Sequence, residues 1–229
     1  MPIEKYLLAV GRSAESAWLE QALAALLPAG LVVRRRLAGA ATPGPDALIS
    51  LWLERRPDDL LEGLRARSVP ALLWRVEEHR QKGTPPSGNG TLTPGVAMVA
   101  LMRAAPEHAR ADCQRYWVER HTPLALRVHQ GLSSYLQNVV LETLTVAGDD
   151  VIGVAELQFP SAEDYRERMF VPPEAREEIF ADVPRFMSLE TTESVDMDEQ
   201  VLVAPPPDGK RALHSSARPA AGPRPPIPG

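Results

Sequence analysis

Short apolar runs bounded by glycine, proline or charged clusters alternate along this chain with stretches of helical period. In the second half, residues 96–102 (VAMVALM), 134–141 (SYLQNVVL) and 151–159 (VIGVAELQF) read as strands, and 192–203 supplies a fourth. From Pro106 to about Gln130 the period is helical, with Cys113, Tyr116, Trp117 and Leu124 recurring on one face and Gly131 as the stop. Gly148-Asp149-Asp150 predicts a turn. Ser161 predicts an N-cap, with Asp164 three positions on, for a helix running to about Arg168. Pro172 and Pro173 open a further helix over 173–186. The order is β-α-β-β-α-β, the split βαβ unit.

The first half repeats this order more weakly. Strands are predicted at 6–10, 31–37, 47–53 and 71–76, helices at 13–27 and 57–67, and a turn segment at 39–46. Element order matches between the halves at a spacing of roughly 95 residues, whereas residue identity does not. The fold class expected is α+β: two ferredoxin-like units packed as an α+β barrel. Residues 1–82 form the first unit, 83–94 (GTPPSGNGTLTP) a linker, 95–203 the second unit, and the proline-rich 204–229 a disordered tail.

A four-stranded sheet with helices on one face leaves its other face bare. Strand alternation puts Tyr135, Gln137 and Val139 on one side of their strand and Leu136, Asn138 and Val140 on the other. In the next strand, Leu157 and Phe159 suit helix packing, and Glu156 and Gln158 suit a partly polar cleft. Two units in one chain could bury their bare faces against each other as a pseudo-dimer; a homodimer through the second-half sheet is the alternative.

Composition narrows the partners. A net charge of −5 and the lack of a basic cluster beyond Arg34-Arg35-Arg36 argue against nucleic acid and acidic membranes. That arginine run follows Leu31-Val32-Val33 and reads as an exposed strand end. With no apolar run near 20 residues and no basic-then-apolar start, the expectation is a cytoplasmic protein outside the membrane. Cys113 is the single cysteine, so an intramolecular disulfide is excluded.

The stretch Gln114-Arg115-Tyr116-Trp117-Val118-Glu119-Arg120-His121-Thr122-Pro123-Leu124 resembles the helix signature of the EthD family. Residues 132–138 and 153–159, followed by Ser161 and Asp164, resemble that family's second strand, third strand and helix cap. The resemblance covers about half the chain; the first half carries no counterpart of Arg120-His121-Thr122-Pro123. It implies membership of the dimeric α+β barrel group, whose members include cofactor-independent isomerases, cyclases, decarboxylases, dehalogenases and small monooxygenases acting on aromatic or polyketide-like compounds.

His121 is the first candidate for chemistry. It lies one turn after Trp117 on the same face, and Pro123 disfavours helical geometry at Thr122, which predicts a bend or helix end there. Imidazole beside such an irregularity suits proton shuttling next to a carbonyl; the plain alternative is a histidine bracing the helix end. Tyr135 and Gln137 point the same way and suit hydrogen bonding to a substrate oxygen. Glu156 is a second base or an orienter of His121, or else a carboxylate paired with arginine. Trp117, Tyr116 and Arg120 complete the expected substrate contacts, with core packing as the bland reading of the two aromatics.

Cys113 stands about 12 Å from His121 along a helix, too far for a nucleophilic pair. His108, His121 and His129 lack ligand spacing for a metal, and no phosphate loop or dinucleotide fingerprint occurs, so no cofactor or metal is expected. The function expected is a cofactor-independent lyase, isomerase or cyclase acting on a small hydrophobic carbonyl compound. A non-catalytic small-molecule binder and a cofactorless monooxygenase are the alternatives.

Overall fold

The computed structural model describes residues 2–11, 16–39, 42–86, 90–145 and 150–206. Eight strands carry the architecture: β1 (Glu4–Val10), β2 (Gly30–Arg36), β3 (Ala47–Leu53), β4 (Ala71–Lys82), β5 (Thr91–Arg103), β6 (Ser134–Thr143), β7 (Val151–Phe159) and β8 (Glu193–Val203). All pair antiparallel and close into a barrel in the order β1-β3-β2-β8-β5-β7-β6-β4. The first-half strands run β4-β1-β3-β2 and the second-half strands β8-β5-β7-β6. The seams between halves are β2 on β8 and β4 on β6.

Helices cover the outside. α1 (Ser16–Ala25) and α2 (Asp58–Ala66) lie over the first half. Over the second half lie α3 (Arg110–Tyr116), a π turn (Trp117–His121), α4 (Thr122–Val128), α5 (Ala162–Arg168), α6 (Ala175–Asp182) and a 3-10 turn (Val183–Arg185). No helix among the described residues is long and apolar enough to cross a membrane.

Strand alternation sorts most of the buried apolar residues into three cores, with Val32, Trp52 and Val201 as a small fourth cluster. Tyr6, Leu8 and Val10 of β1 face outward under α1 and α2, where Leu60, Leu61 and Leu64 of α2 meet them. Leu7 and Ala9 face inward, with Trp74, Val76, Val99, Val154 and Met197, so the inner faces of both halves enclose one interior core. Leu157 and Phe159 of β7 pack outward under α3–α6. With both faces covered, β7 is buried at all nine positions and reads as an almost unbroken apolar run.

Three sequence expectations change. Residues 91–94, assigned to a linker, extend β5: Thr91, Leu92 and Thr93 pair with Val201, Gln200 and Glu199, which satisfies backbone groups that a free linker would leave to water. The register then shifts between Thr93 and Ala97, at Gly95 with φ +96°. A Cβ on Gly95 would sit 1.8 Å from the Phe159 carbonyl oxygen, so only glycine fits this bulge.

β4 runs six residues past the predicted end to pair with β6 and close the barrel. Arg34 is not an exposed strand end: it is buried in the barrel, its guanidinium bridging Glu156 (2.7 Å) and Glu199. Arg35, next along the strand, points to solvent. Gly148 and Asp149 of the predicted turn, the start of the 13–27 helix, part of the 39–46 turn and the tail beyond Pro206 lie outside the described residues.

Candidate active site

The helix expected to bend at Thr122 instead continues through a π turn. Pro123 has no N–H, and widening one turn accommodates the missing bond without ending the helix. The Trp117 carbonyl also accepts from two side chains: Thr122 Oγ1 donates to it (3.2 Å), and so does Gln137 Nε2 from β6 (3.3 Å). Both ends of the π turn, Trp117 and His121, are buried against the sheet.

Beneath this turn the sheet is hollowed by small residues in register. Ser194 of β8 pairs with Ala100 of β5, which pairs with Ala155 of β7, which pairs with Gln137 of β6. Larger side chains (Met98, Met102, Leu157, Tyr135) flank that row, and the space between sheet and helices is a cavity of about 450 Å³. Its walls are predominantly apolar: Trp117, Ala125, Met169, Phe170, Ile179, Val183 and Phe186, with His121 and His129. Trp117 fits so closely over β7 that a Cβ on Gly153 would lie 2.4 Å from its indole ring.

His121 Nδ1 lies 2.9 Å from Asp182 Oδ2 at the end of α6, and Tyr116 donates its hydroxyl to Asp182 Oδ1 at 2.6 Å. The imidazole also packs on Phe186, centroids 4.8 Å apart. The carboxylate therefore holds the proton on Nδ1 and leaves Nε2 as the free nitrogen, without a protein partner among the described residues. Burial pushes the His121 pKa below its usual value, against the pull of Asp182, so the ring is neutral at pH 7. His129 is likewise held low by burial, opposed by its contact with the Met169 carbonyl.

The Tyr135 hydroxyl accepts from Trp117 Nε1 (3.1 Å) and from Gln137 Nε2 (3.0 Å), which leaves its own proton to donate. Burial pushes its pKa up to about 12, although both donors work the other way. Gln137 is fixed in turn by Thr122 Oγ1 (3.0 Å) and by Gln81 of β4, which donates to its Oε1 (2.8 Å).

Of the residues expected from sequence, His121, Tyr135 and Trp117 line this cavity and Gln137 positions Tyr135. Glu156 does not join them. Strand alternation turns it into the barrel, where Asn138 donates to Oε1 (2.9 Å) and Arg34 pairs with Oε2, so the alternative of an arginine-paired carboxylate holds and Asp182 orients His121. Tyr116 stacks on Phe186 and reaches Asp182 instead of the cavity, and Arg120 is exposed.

Asp182 and His129 were not anticipated as site residues. A signal for Asp182 existed: Ala175, Ile179 and Val183 mark the buried face of α6, and a carboxylate three residues after Ile179 falls on its edge.

A closed α+β barrel carrying one apolar chamber with a histidine–carboxylate pair defines the class. Residues 105–190, which span the π turn, β6, β7 and α6, match the family model of the EthD domain.

No curated protein sequence matches the chain significantly. Among solved structures, an anthrone oxidase-like protein shares the fold at TM-score 0.54 and 12% identity, over 87% of this chain and 90% of that one. A mutant chlorite dismutase from Candidatus Nitrospira defluvii is a more distant likeness, at TM-score 0.43 and 12% identity over 85% of this chain and 91% of that one.

Proposed function

We propose that this chain is a cofactor-independent acid–base enzyme of the isomerase, cyclase or lyase type, acting on a small aromatic or polyketide-like carbonyl compound bound between α3–α6 and the sheet. The observation that carries the reading is the pairing of His121, in the wall of a predominantly apolar cavity, with Asp182 behind it. On the same reading, residues 1–82 and 95–203 are two ferredoxin-like units fused as a pseudo-dimer, in agreement with the matching strand orders of the halves.

A neutral imidazole held by a carboxylate is a general base. Nε2 takes the proton from the carbon next to the substrate carbonyl, and the electron pair moves onto the carbonyl oxygen as an enolate. The spare Tyr135 O–H donates to that oxygen, and Trp117 and Gln137 hold the phenol in place for it. Return of the proton to a different carbon completes an isomerisation; attack of the enolate carbon on a second carbonyl of the same molecule, with the proton on His121 passing to the alkoxide so formed, completes a cyclisation. The apolar walls exclude water from the enolate.

The test is solvent deuterium exchange into an aromatic ketone with an enolisable C–H, α-tetralone, followed by NMR with wild type and His121→Gln. Exchange catalysed by wild type and abolished in His121→Gln, with both proteins folded by circular dichroism, is expected. Binding of the ketone to both proteins without exchange would leave a ligand carrier in place of an enzyme.

A further inference from the structure

The apolar chamber holds a second imidazole that the chemistry at His121 does not use. His129 caps the C-terminal end of α4, eight residues after His121, and is buried in the same wall. At a rise of about 1.5 Å per residue, the two backbone positions stand about 12 Å apart. The rings rest on different neighbours. His121 packs on Phe186, which pairs with Ala105 beyond the end of β5, whereas His129 meets Phe170 past the end of α5, centroids 5.4 Å apart.

His129 is held in the same way as His121, by its Nδ1. Its partner is the Met169 carbonyl, and a carbonyl oxygen only accepts, so the proton sits on Nδ1 and Nε2 keeps a bare lone pair. Burial lowers the pKa of this ring against the pull of the Met169 carbonyl, so Nε2 is an acceptor at pH 7. Among the described residues no protein donor reaches it. Nor is it one of the sealed, partnerless atoms of the interior: the ring borders the cavity.

Acceptors are scarce in this wall. Tyr135 has both lone pairs occupied by Trp117 and Gln137, and Arg176 can only donate. A ligand that fills the chamber strips water from His129 Nε2 and must either replace that hydrogen bond or leave the nitrogen unmet.

We propose that His129 Nε2 accepts a hydrogen bond from a substrate hydroxyl, so that the substrate is a ketone carrying a hydroxyl at the end remote from its carbonyl. The inference rests on the acid–base reading above, which places the carbonyl against Tyr135 and His121, and adds a specificity-determining contact at the other end of α4. The span between the histidines sets the position of the hydroxyl. A group next to the carbonyl would bond internally to that oxygen and stop short of His129.

Calorimetric titration of wild type and two variants with α-tetralone, 6-hydroxy-α-tetralone and 8-hydroxy-α-tetralone tests this. His129→Asn keeps an amide N–H where Nδ1 meets the Met169 carbonyl and removes the acceptor at Nε2. His129→Gln sets an amide oxygen near the place of Nε2 and gives up the Met169 contact. Wild type should bind the 6-hydroxy ketone about tenfold more tightly than α-tetralone and gain nothing from the 8-hydroxy group. That preference should vanish in His129→Asn and survive at least in part in His129→Gln. Equal affinities for all three ketones in wild type, or a 6-hydroxy preference kept in His129→Asn, overturns the proposal. A preference lost in both variants together with affinity for α-tetralone makes His129 a packing residue and overturns it too. The titration reads binding and not turnover, so failure of the deuterium exchange at His121 leaves this result standing; failure of all three ketones to bind overturns both readings.

Discussion

The chemistry rests on few atoms. Asp182 fixes which nitrogen of His121 carries the proton, so Asp182→Asn, which keeps the shape and removes the charge, should lower kcat by about 10²–10⁴ with little change in KM. A drop confined to KM would show Asp182 to be a packing residue. The pH profile follows from the same pair. The His121 pKa is lowered by burial, so the base is fully available above the usual histidine range and is lost as pH falls through the lowered value. A plot of kcat/KM against pH should be flat above about 6.5 and decline on the acid side, with its inflection below that of a free histidine. Tyr135→Phe removes the acceptor of Trp117 Nε1 and leaves that buried donor unmet, while Gln137 Nε2 keeps the Trp117 carbonyl and Thr122 Oγ1. It should cost about 1–3 kcal/mol in denaturant unfolding as well as activity.

The π turn and β7 act as a fitted pair. Gly153→Ala would press a methyl into the Trp117 ring, so either the indole shifts into the chamber or the helix lifts. We expect a fall in melting temperature together with a loss in kcat/KM, and an altered tryptophan fluorescence maximum; unchanged activity would show that Trp117 does not shape the chamber. Much of this level was legible in the sequence. Val151–Phe159 is a buried strand with the bounds expected, and Ser161 caps α5 as its spacing implied, accepting from the Asp164 N–H at 2.9 Å. The capping box is only partial, because the short Asp164 side chain takes the Ser161 hydroxyl and not the backbone N–H of the cap. Pro123 correctly marked an irregularity, but sequence could not say whether the helix would stop or widen, since the side chains that brace the π turn come partly from β6. Arg34 was misjudged, and Glu156 left between two readings, for the same reason. Their environments depend on which strands become neighbours when the barrel closes, and local periodicity carries no record of that.

The closed barrel buries charge at its centre. Lys5 reaches Glu78 (2.6 Å) and Asn138 (2.7 Å), and Arg34 bridges Glu156 and Glu199. Burial works to raise the carboxyls of Glu78 and Glu199, but Lys5 and Arg34 outweigh it and hold them below the ordinary glutamate range. Groups with a depressed folded pKa contribute stability that is complete above the unfolded value, near 4.5, and is lost as pH falls through the folded one. Urea midpoints should therefore hold steady down to about pH 5 and fall below it. Arg34→Met should remove about 3–5 kcal/mol at neutral pH, because it strands two carboxylates in the barrel, and should flatten the acid decline that Glu199 contributes. A midpoint unchanged from wild type would show the cluster to be solvated in solution.

β7 is also a partition. One stretch of backbone, with one set of ladder hydrogen bonds, presents Ala155 and Leu157 to an oily chamber and Glu156 and Gln158 to the charged interior of the barrel. Neither compartment shares a side chain of this strand with the other, so each can drift in sequence without disturbing its neighbour's chemistry. A single inserted residue would do the opposite: it would turn every side chain beyond it through the wall and exchange the contents of the two rooms.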